Sequence, residues 1–291
     1  MKRAAFIGSA AAAAVAVPAA GATSVGARVR AIARDMPGRI GVYARTMAPG
    51  PPLVTYASWD RFPTASIIKV LVMTTAYRAE EAEPGALNAL ITFHGSDLIG
   101  GSEFMTQAAD GQHFTVRELI VPMIQLSDNT AANLLIRHFG TAAINHVGRA
   151  AGMERTRLAR TFLDYSAIVH HNDNVSTPAD MGHLLYVIER GAREGLRTIV
   201  SARHCREMVA IMLGQTDRDG IPAALPRGTA VANKTGEIQG TLNDIAIVEP
   251  YGDSPFVLAI MTAEAYDYSA AYAAIHAVTR ATYSVANRSY D

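Results

Sequence analysis

Hydrophobic and polar positions along the chain fall into two rhythms, one helical and one strand-like. An amphipathic stretch around Val25 to Ala33 reads as a helix, and Arg39 to Thr46 and Leu53 to Ser58 read as strands. The turn cluster Ala48-Pro49-Gly50-Pro51-Pro52 lies between those strands and makes them a hairpin. From Ser66 to about Gly214 the spacing is helical: Ile67 to Arg78, Val116 to Leu126, Thr130 to Phe139, Ala142 to Ala151, Ala179 to Glu189 and Ala202 to Leu213. Thr177-Pro178 ahead of Asp180 has the form of an N-cap with proline at the first helical position, and Ser201 is placed to cap the next helix. Strand signals return at Thr229 to Lys234, Asn243 to Val248 and Phe256 to Thr262. Pro250-Tyr251-Gly252-Asp253 breaks them, and a helix from about Ala270 to Val285 closes the chain.

Strands at both ends of a helical middle have an economical solution. It is an α/β plus all-α fold, with one antiparallel sheet built from both termini, flanked by helices, beside an inserted helical domain. The expected division is residues 23–63 with 214–291 for the sheet, and 64–213 for the helical domain. Residues 1–22 stand apart. Met1-Lys2-Arg3 is a basic start, Ala4 to Ala20 is apolar and Ala-rich, and Ala20-Gly21-Ala22 has the small-x-small form of a cleavage site. This predicts a signal peptide cut after Ala22 and a secreted or periplasmic protein. No other stretch reaches the roughly 18 to 20 apolar residues that a bilayer span requires.

Composition narrows the function classes. The 291 residues are 49% hydrophobic and 18% charged, which excludes a disordered or coiled-coil chain. Formal net charge is zero, so no broad field attracts nucleic acid or an anionic membrane. The single cysteine, Cys205, has no internal disulfide partner and reads as a core residue. Nine histidines show no HExxH or paired-ligand spacing, so neither a metal nor another cofactor is expected. The expected partner is a small-molecule substrate, and the expected state a monomer.

Lysine is the informative residue. The chain has 26 Lys and Arg together, yet only Lys2, Lys69 and Lys234 are lysines, and Lys2 leaves with the signal. Arginine supplies the ordinary positive charge, and a guanidinium does not give up its proton, whereas a desolvated ammonium does. Lys69 lies in Ser66-Ile67-Ile68-Lys69. Serine and lysine three apart share one helix face, so a neutral amine at 69 can take the proton of the hydroxyl at 66. Asp60 to Ala65 ends the extended segment and sets Ser66 at a helix N-terminus, where backbone donors favour developing negative charge. Taken alone, this spacing equally fits a surface lysine beside a small polar residue.

Ser127-Asp128-Asn129 and Lys234-Thr235-Gly236 follow in order and complete a three-part set. With these the chain resembles the class A serine β-lactamase family and the wider penicillin-recognising serine hydrolases. Thr115 to Leu119 leading to Leu126 to Leu135 is similar to the family's helical approach to the Ser-Asp-Asn turn. Thr156 to Arg160 and Ser176-Thr177-Pro178 resemble the two ends of its omega loop. The resemblance runs from about Arg39 to Ala281. It implies a β-lactamase-like fold and an acyl-enzyme route to hydrolysis of β-lactams, hence antibiotic resistance or β-lactam catabolism. Ser66 would be the nucleophile, Lys69 its base, and Ser127 the relay to the leaving nitrogen, assisted by Lys234. Asn129 would bind the substrate amide, Lys234 and Thr235 its carboxylate, and Gly236 would let the strand approach the ligand. The backbone amides of Ser66 and Glu237 would form the oxyanion hole.

Two departures stand out. The family places a glutamate two residues after the omega-loop arginine, and Phe162 occupies that position. Asp164 is the nearest carboxylate and the expected substitute base, with a loop-bracing role as its alternative. Asp173, His170 and His171 are the other candidates, and Asp173-Asn174 is placed to pair with Arg160. Glu237 puts a carboxylate beside the oxyanion hole, and no arginine falls between Gln239 and Asp244, which leaves Arg218 or Arg227 to compensate. Two other readings therefore stand beside a β-lactamase. One is a D-alanyl-D-alanine peptidase or esterase of the same superfamily; the other is a β-lactam-binding protein that is acylated without turnover.

Overall fold

The computed structural model describes residues 24–170 and 172–287. The signal-peptide prediction for residues 1–22 lies outside the described residues. In chain order the elements are α1 (Val25–Asp35), β1 (Arg39–Thr46), β2 (Val54–Tyr56), β3 (Phe62–Pro63), a 3-10 turn (Ala65–Ile68) and α2 (Lys69–Ala82). Then come β4 (Leu90–Thr92), β5 (His113–Thr115), α3 (Val116–Gln125), α4 (Asn129–Phe139), α5 (Thr141–Ala150), α6 (Tyr165–Val169) and β6 (Val175–Ser176). The chain ends with α7 (Pro178–Glu194), α8 (Ala202–Leu213), β7 (Val231–Ile238), β8 (Thr241–Val248), β9 (Phe256–Ala263) and α9 (Tyr268–Ala286).

The main sheet has the order β2-β1-β9-β8-β7 with antiparallel neighbours, so strands from both ends of the chain share it. Every residue of β8 and β9 is buried, which requires cover on both faces. Alternation sorts the side chains: Ile245, Ile247, Val257, Ala259 and Met261 enter the core shared with the helical middle, including α7. Leu242, Ala246, Val248, Phe256, Leu258 and Ile260 enter a second core under α1 and α9. The α/β plus all-α expectation holds. The sequence missed two small ladders, β3 with β6 and β4 with β5.

Helix α2 is the axis of the helical part. Its residues Lys69 to Tyr77 are buried without a break, the pattern of a helix enclosed on every side. Thr74 and Thr75 keep that interior satisfied by donating to the carbonyls of Val70 and Leu71 at 2.8 and 2.9 Å. Helix α7 starts as its sequence predicts: Thr177 accepts from Asp180 N at 3.0 Å and Pro178 fills the first turn.

A buried carboxyl ties α7 to the turn between β8 and β9. Glu189 Oε1 accepts from Tyr251 N at 3.2 Å, while Oε2 has no partner. Burial pushes the Glu189 pKa up to about 7, against the pull of the Tyr251 N–H and the Arg193 charge. The folded state therefore holds this proton after the unfolded state has lost its own. Stability falls as pH rises from the usual carboxylate range to about 7, then levels off. Glu189→Gln removes that loss. The melting-temperature difference between variant and parent should be larger at alkaline than at acidic pH by roughly 2–4 °C, and equal differences would show that Glu189 does not titrate there.

Candidate active site

Ser66 lies in the 3-10 turn that runs directly into α2. Ala65 takes a left-handed φ of 45°, and Thr64 N donates to Asn174 O at 3.0 Å, so the turn is fixed from the omega-loop side. From the opposite side β7 presses against it. A Cβ on Gly236 would stand 2.9 Å from Ser66 N and 3.0 Å from both Ile67 N and Thr64 O, so only glycine permits this contact.

The free edge of β7 is aimed by its register. Leu242 N donates to Thr262 Oγ1, and the same hydroxyl donates to Leu242 O, both at 2.8 Å. The main chain of Leu242 thus faces β9, and Glu237, opposite it in the ladder, belongs to a non-hydrogen-bonded pair. Its N–H and C=O point off the open edge. Thr235, two residues earlier, faces the same way, and its carbonyl accepts from Lys234 Nζ at 2.8 Å.

Three segments converge on Ser127. The turn between α3 and α4 holds it at a left-handed φ of 57°, and Asp128 caps α4 by accepting from Ala131 N at 2.9 Å. The other Asp128 oxygen accepts from Met105 N at 3.0 Å. Lys69 Nζ donates to Ser127 O at 2.6 Å and Asn129 Oδ1 at 2.7 Å, and its third contact is the Ser127 hydroxyl, with Oγ at 3.2 Å. Lys234 Nζ reaches the same Ser127 Oγ at 3.0 Å. Asn129 Nδ2 donates to Gly100 O at 2.9 Å, so that amide is engaged at both ends.

Both lysines are fully buried. Burial pushes the Lys69 pKa well below the ordinary lysine value, the Lys234 charge adds to the effect, and Asp128 opposes it. Burial takes Lys234 down to about 8, against Asp217 and Asp244. Burial thus favours the neutral form of both amines, and the Lys234 charge favours it further at Lys69, an asymmetry suited to acid–base chemistry. Ser66 stands where two clefts meet. One, of about 510 Å³, is walled by Arg160, Phe162, Leu163, Ile168 and Ile238; the other, of about 340 Å³, by Ser127, Thr235, Glu103, Asp217 and Glu237.

The description "Beta-lactamase enzyme family" matches residues 24–286. The carbapenem-hydrolyzing β-lactamase KPC of Klebsiella oxytoca is 32% identical over 238 residues, 79% of this chain and 77% of its own. The solved structure of an ancestral class A β-lactamase, GNCA, is 30% identical with a TM-score of 0.80, covering 90% of this chain and 99% of that one. A β-lactamase of Sphaerobacter thermophilus is 28% identical with a TM-score of 0.79, covering 91% and 97%. The chain belongs to the β-lactamase enzyme family, class A. It is a serine hydrolase of β-lactams.

In this β-lactamase the wall facing Lys69 is aromatic. The Phe162 ring centroid lies 4.3 Å from Lys69 Nζ. Buried Asn133 on α4 holds that residue by its main chain, accepting from Phe162 N at 2.7 Å and donating to Phe162 O at 3.1 Å. Arg160 donates to Asp173 Oδ1 at 2.8 and 2.7 Å, and Asn174 Oδ1 accepts from Ala159 N and Arg160 N, so Asp173-Asn174 does close on Arg160. Sequence reasoning missed Asn133; its signal was a polar residue in the middle of the otherwise apolar buried run Ala131 to Ile136.

Among the described residues, no group of three or more His, Cys, Asp or Glu is arranged to hold a metal, and no helix is long and apolar enough to cross a membrane. Glu237 is solvent-exposed, and Arg218 is committed to Val231 O and Asn233 Oδ1 at 2.9 and 3.2 Å. His170 is exposed, with Nδ1 2.8 Å from Ser166 O, and His171 lies outside the described residues.

Asp164 Oδ1 accepts from Ala167 N at 3.0 Å and caps α6, a geometry that supports the bracing role. Two variants separate the roles. Asparagine caps as well as aspartate, so under bracing Asp164→Asn keeps parental acylation, deacylation and melting temperature. Asp164→Ala then costs about 1 kcal/mol of stability. Under the base role, Asp164→Asn instead accumulates acyl-Ser66, visible by time-resolved intact mass.

Proposed function

We propose that this secreted class A enzyme opens β-lactams by the following division of labour. Neutral Lys69 takes the Ser66 proton as Ser66 Oγ attacks the lactam carbonyl. The amides of Ser66 and Glu237 hold the developing oxyanion. Ser127 Oγ passes a proton to the ring nitrogen as the C–N bond breaks, and Lys69 restores it. Lys234 keeps its own proton, so its charge and the Thr235 hydroxyl bind the substrate carboxylate. Water then releases acyl-Ser66. The observation that carries this reading is the meeting of two buried lysines on one serine hydroxyl, where burial lowers both pKa values and the Lys234 charge lowers that of Lys69 further.

One observation favours slow release of the acyl group. Phe162 stands where the family resemblance puts the water-activating glutamate, and its ring rests against Lys69. Incubating the protein with a chromogenic cephalosporin while following absorbance and intact mass tests both halves. The expected result is a burst of one equivalent, an adduct on Ser66, then slower turnover. Ser66→Ala should lose adduct and turnover while keeping its fold. An adduct mapped to another residue overturns the assignment.

Lys234 gives a pH-dependent test. Its charge is present below about 8 and lost above it, so kcat/KM for an anionic β-lactam should fall on the alkaline side near that pH. In Lys234→Arg the guanidinium stays charged. That variant should show no alkaline limb, whatever its absolute rate. A parental limb in Lys234→Arg would assign the ionisation elsewhere.

A further inference from the structure

We propose that Phe162 is a positioning residue for Lys69: its ring, pinned by Asn133, closes the omega-loop side of the amine against water and so fixes Lys69 as a neutral base. The proposal rests on the reading of Lys69 as the base, and its test reads protonation directly rather than turnover.

Phe162 is 8% exposed, and its ring centroid stands 4.3 Å from Lys69 Nζ. Asn133 grips the Phe162 peptide by both N–H and C=O, at 2.7 and 3.1 Å, and Asn133 is itself buried on α4. The next residue, Leu163, takes a left-handed φ of 59°, which a β-carbon disfavours, so the loop is bent to set the ring where it lies. The remaining neighbours of the amine are protein. The Ser127–Asn129 turn supplies its acceptors, Lys234 presents a positive charge from β7, and Asp128 a negative one from the start of α4.

An aromatic face also attracts a cation, which pulls the other way. That attraction is strongest where the cation is desolvated. Withholding water from an ammonium costs more than one ring face returns. Exclusion of water wins, and the net effect of the ring is to favour the neutral amine. A carboxylate at this position would act in the opposite sense, as a counter-charge that keeps the proton on Lys69.

The composition makes the test clean, because the full chain has only Lys2, Lys69 and Lys234. Isotope labelling of the lysine ε-carbons gives two resonances in the mature protein, with Lys2 a third where the leader is retained; they are assigned with Lys69→Arg and Lys234→Arg, and their shifts report each titration. In the parent, Lys69 should titrate well below an ordinary lysine. Phe162→Ala admits water and should raise that midpoint by about one pH unit or more, roughly a tenfold gain in proton affinity. Phe162→Leu keeps an apolar cover and should leave the midpoint unchanged or lower it as the aromatic attraction is lost. Lys234 serves as the internal control. If Phe162→Ala does not fold, Phe162→Val reads the same shift at reduced size. The acid limb of Ser66 acylation should move in parallel. A parental Lys69 midpoint in the alanine or valine variant, or an equal rise in Phe162→Leu, overturns the proposal.

Discussion

Two buried amines reach for one hydroxyl, and the electrostatics of that arrangement govern the rest of the site. Lys69 Nζ and Lys234 Nζ lie 3.2 and 3.0 Å from Ser127 Oγ, so their nitrogens stand no more than about 6 Å apart. Two positive charges at that separation repel by about 3 kcal/mol at a protein-like effective dielectric. One proton must go. Carboxylates choose which: Lys234 has both Asp217 and Asp244 in its field, whereas Lys69 has Asp128 and the opposing charge of Lys234. The cation therefore settles at β7 and the base at α2. An arginine at either position would abolish the choice, which explains lysine's survival at these two places in a chain that uses arginine elsewhere.

That balance needs a scaffold that does not yield. Lys69 is carried by a buried stretch of helix, and Lys234 by an edge strand paired with β8, which like β9 beyond it is wholly buried. They approach only because residue 236 has no side chain to hold β7 away from the Ser66 turn. The same register that fixes Lys234 turns the Thr235 carbonyl and the Glu237 N–H outward. Cation, carboxylate site and oxyanion donor are thus consequences of one strand placed in one phase. A one-residue slip would reverse every one of them.

The sequence was legible where signals were local. β1 and α8 match their predicted spans residue for residue, because alternation in the first and a Ser201 cap before a helical repeat in the second leave little freedom. β7 runs past its predicted end at Lys234 to Ile238, since Gly236 and Glu237 are poor strand formers and the segment is held by pairing with β8. β3 with β6 joins segments more than a hundred residues apart by two residues each, too short for any periodicity. In the site, scarcity of lysine and three spaced motifs exposed Ser66, Lys69, Ser127 and Lys234. Asn133 and the contact of Phe162 with Lys69 stayed hidden, because both depend on how a loop folds back over α2 and α4.

The two half-reactions consequently rest on different kinds of structure. Groups for acylation sit on α2, the α3–α4 turn and β7, all locked by core packing. Groups facing the acyl-serine from the omega-loop side are set by polar ties as well as packing: Arg160 to Asp173, Asn174 to the Arg160 backbone, Asn133 to Phe162 and Asp164 to Ala167. Loops held by such ties tolerate sequence change that a packed core does not. A substitution at position 162 can therefore remake the environment of water and of the base without disturbing Ser127 or Lys234. The separation gives a physical route by which one nucleophile apparatus serves enzymes that differ widely in how fast they release their acyl group.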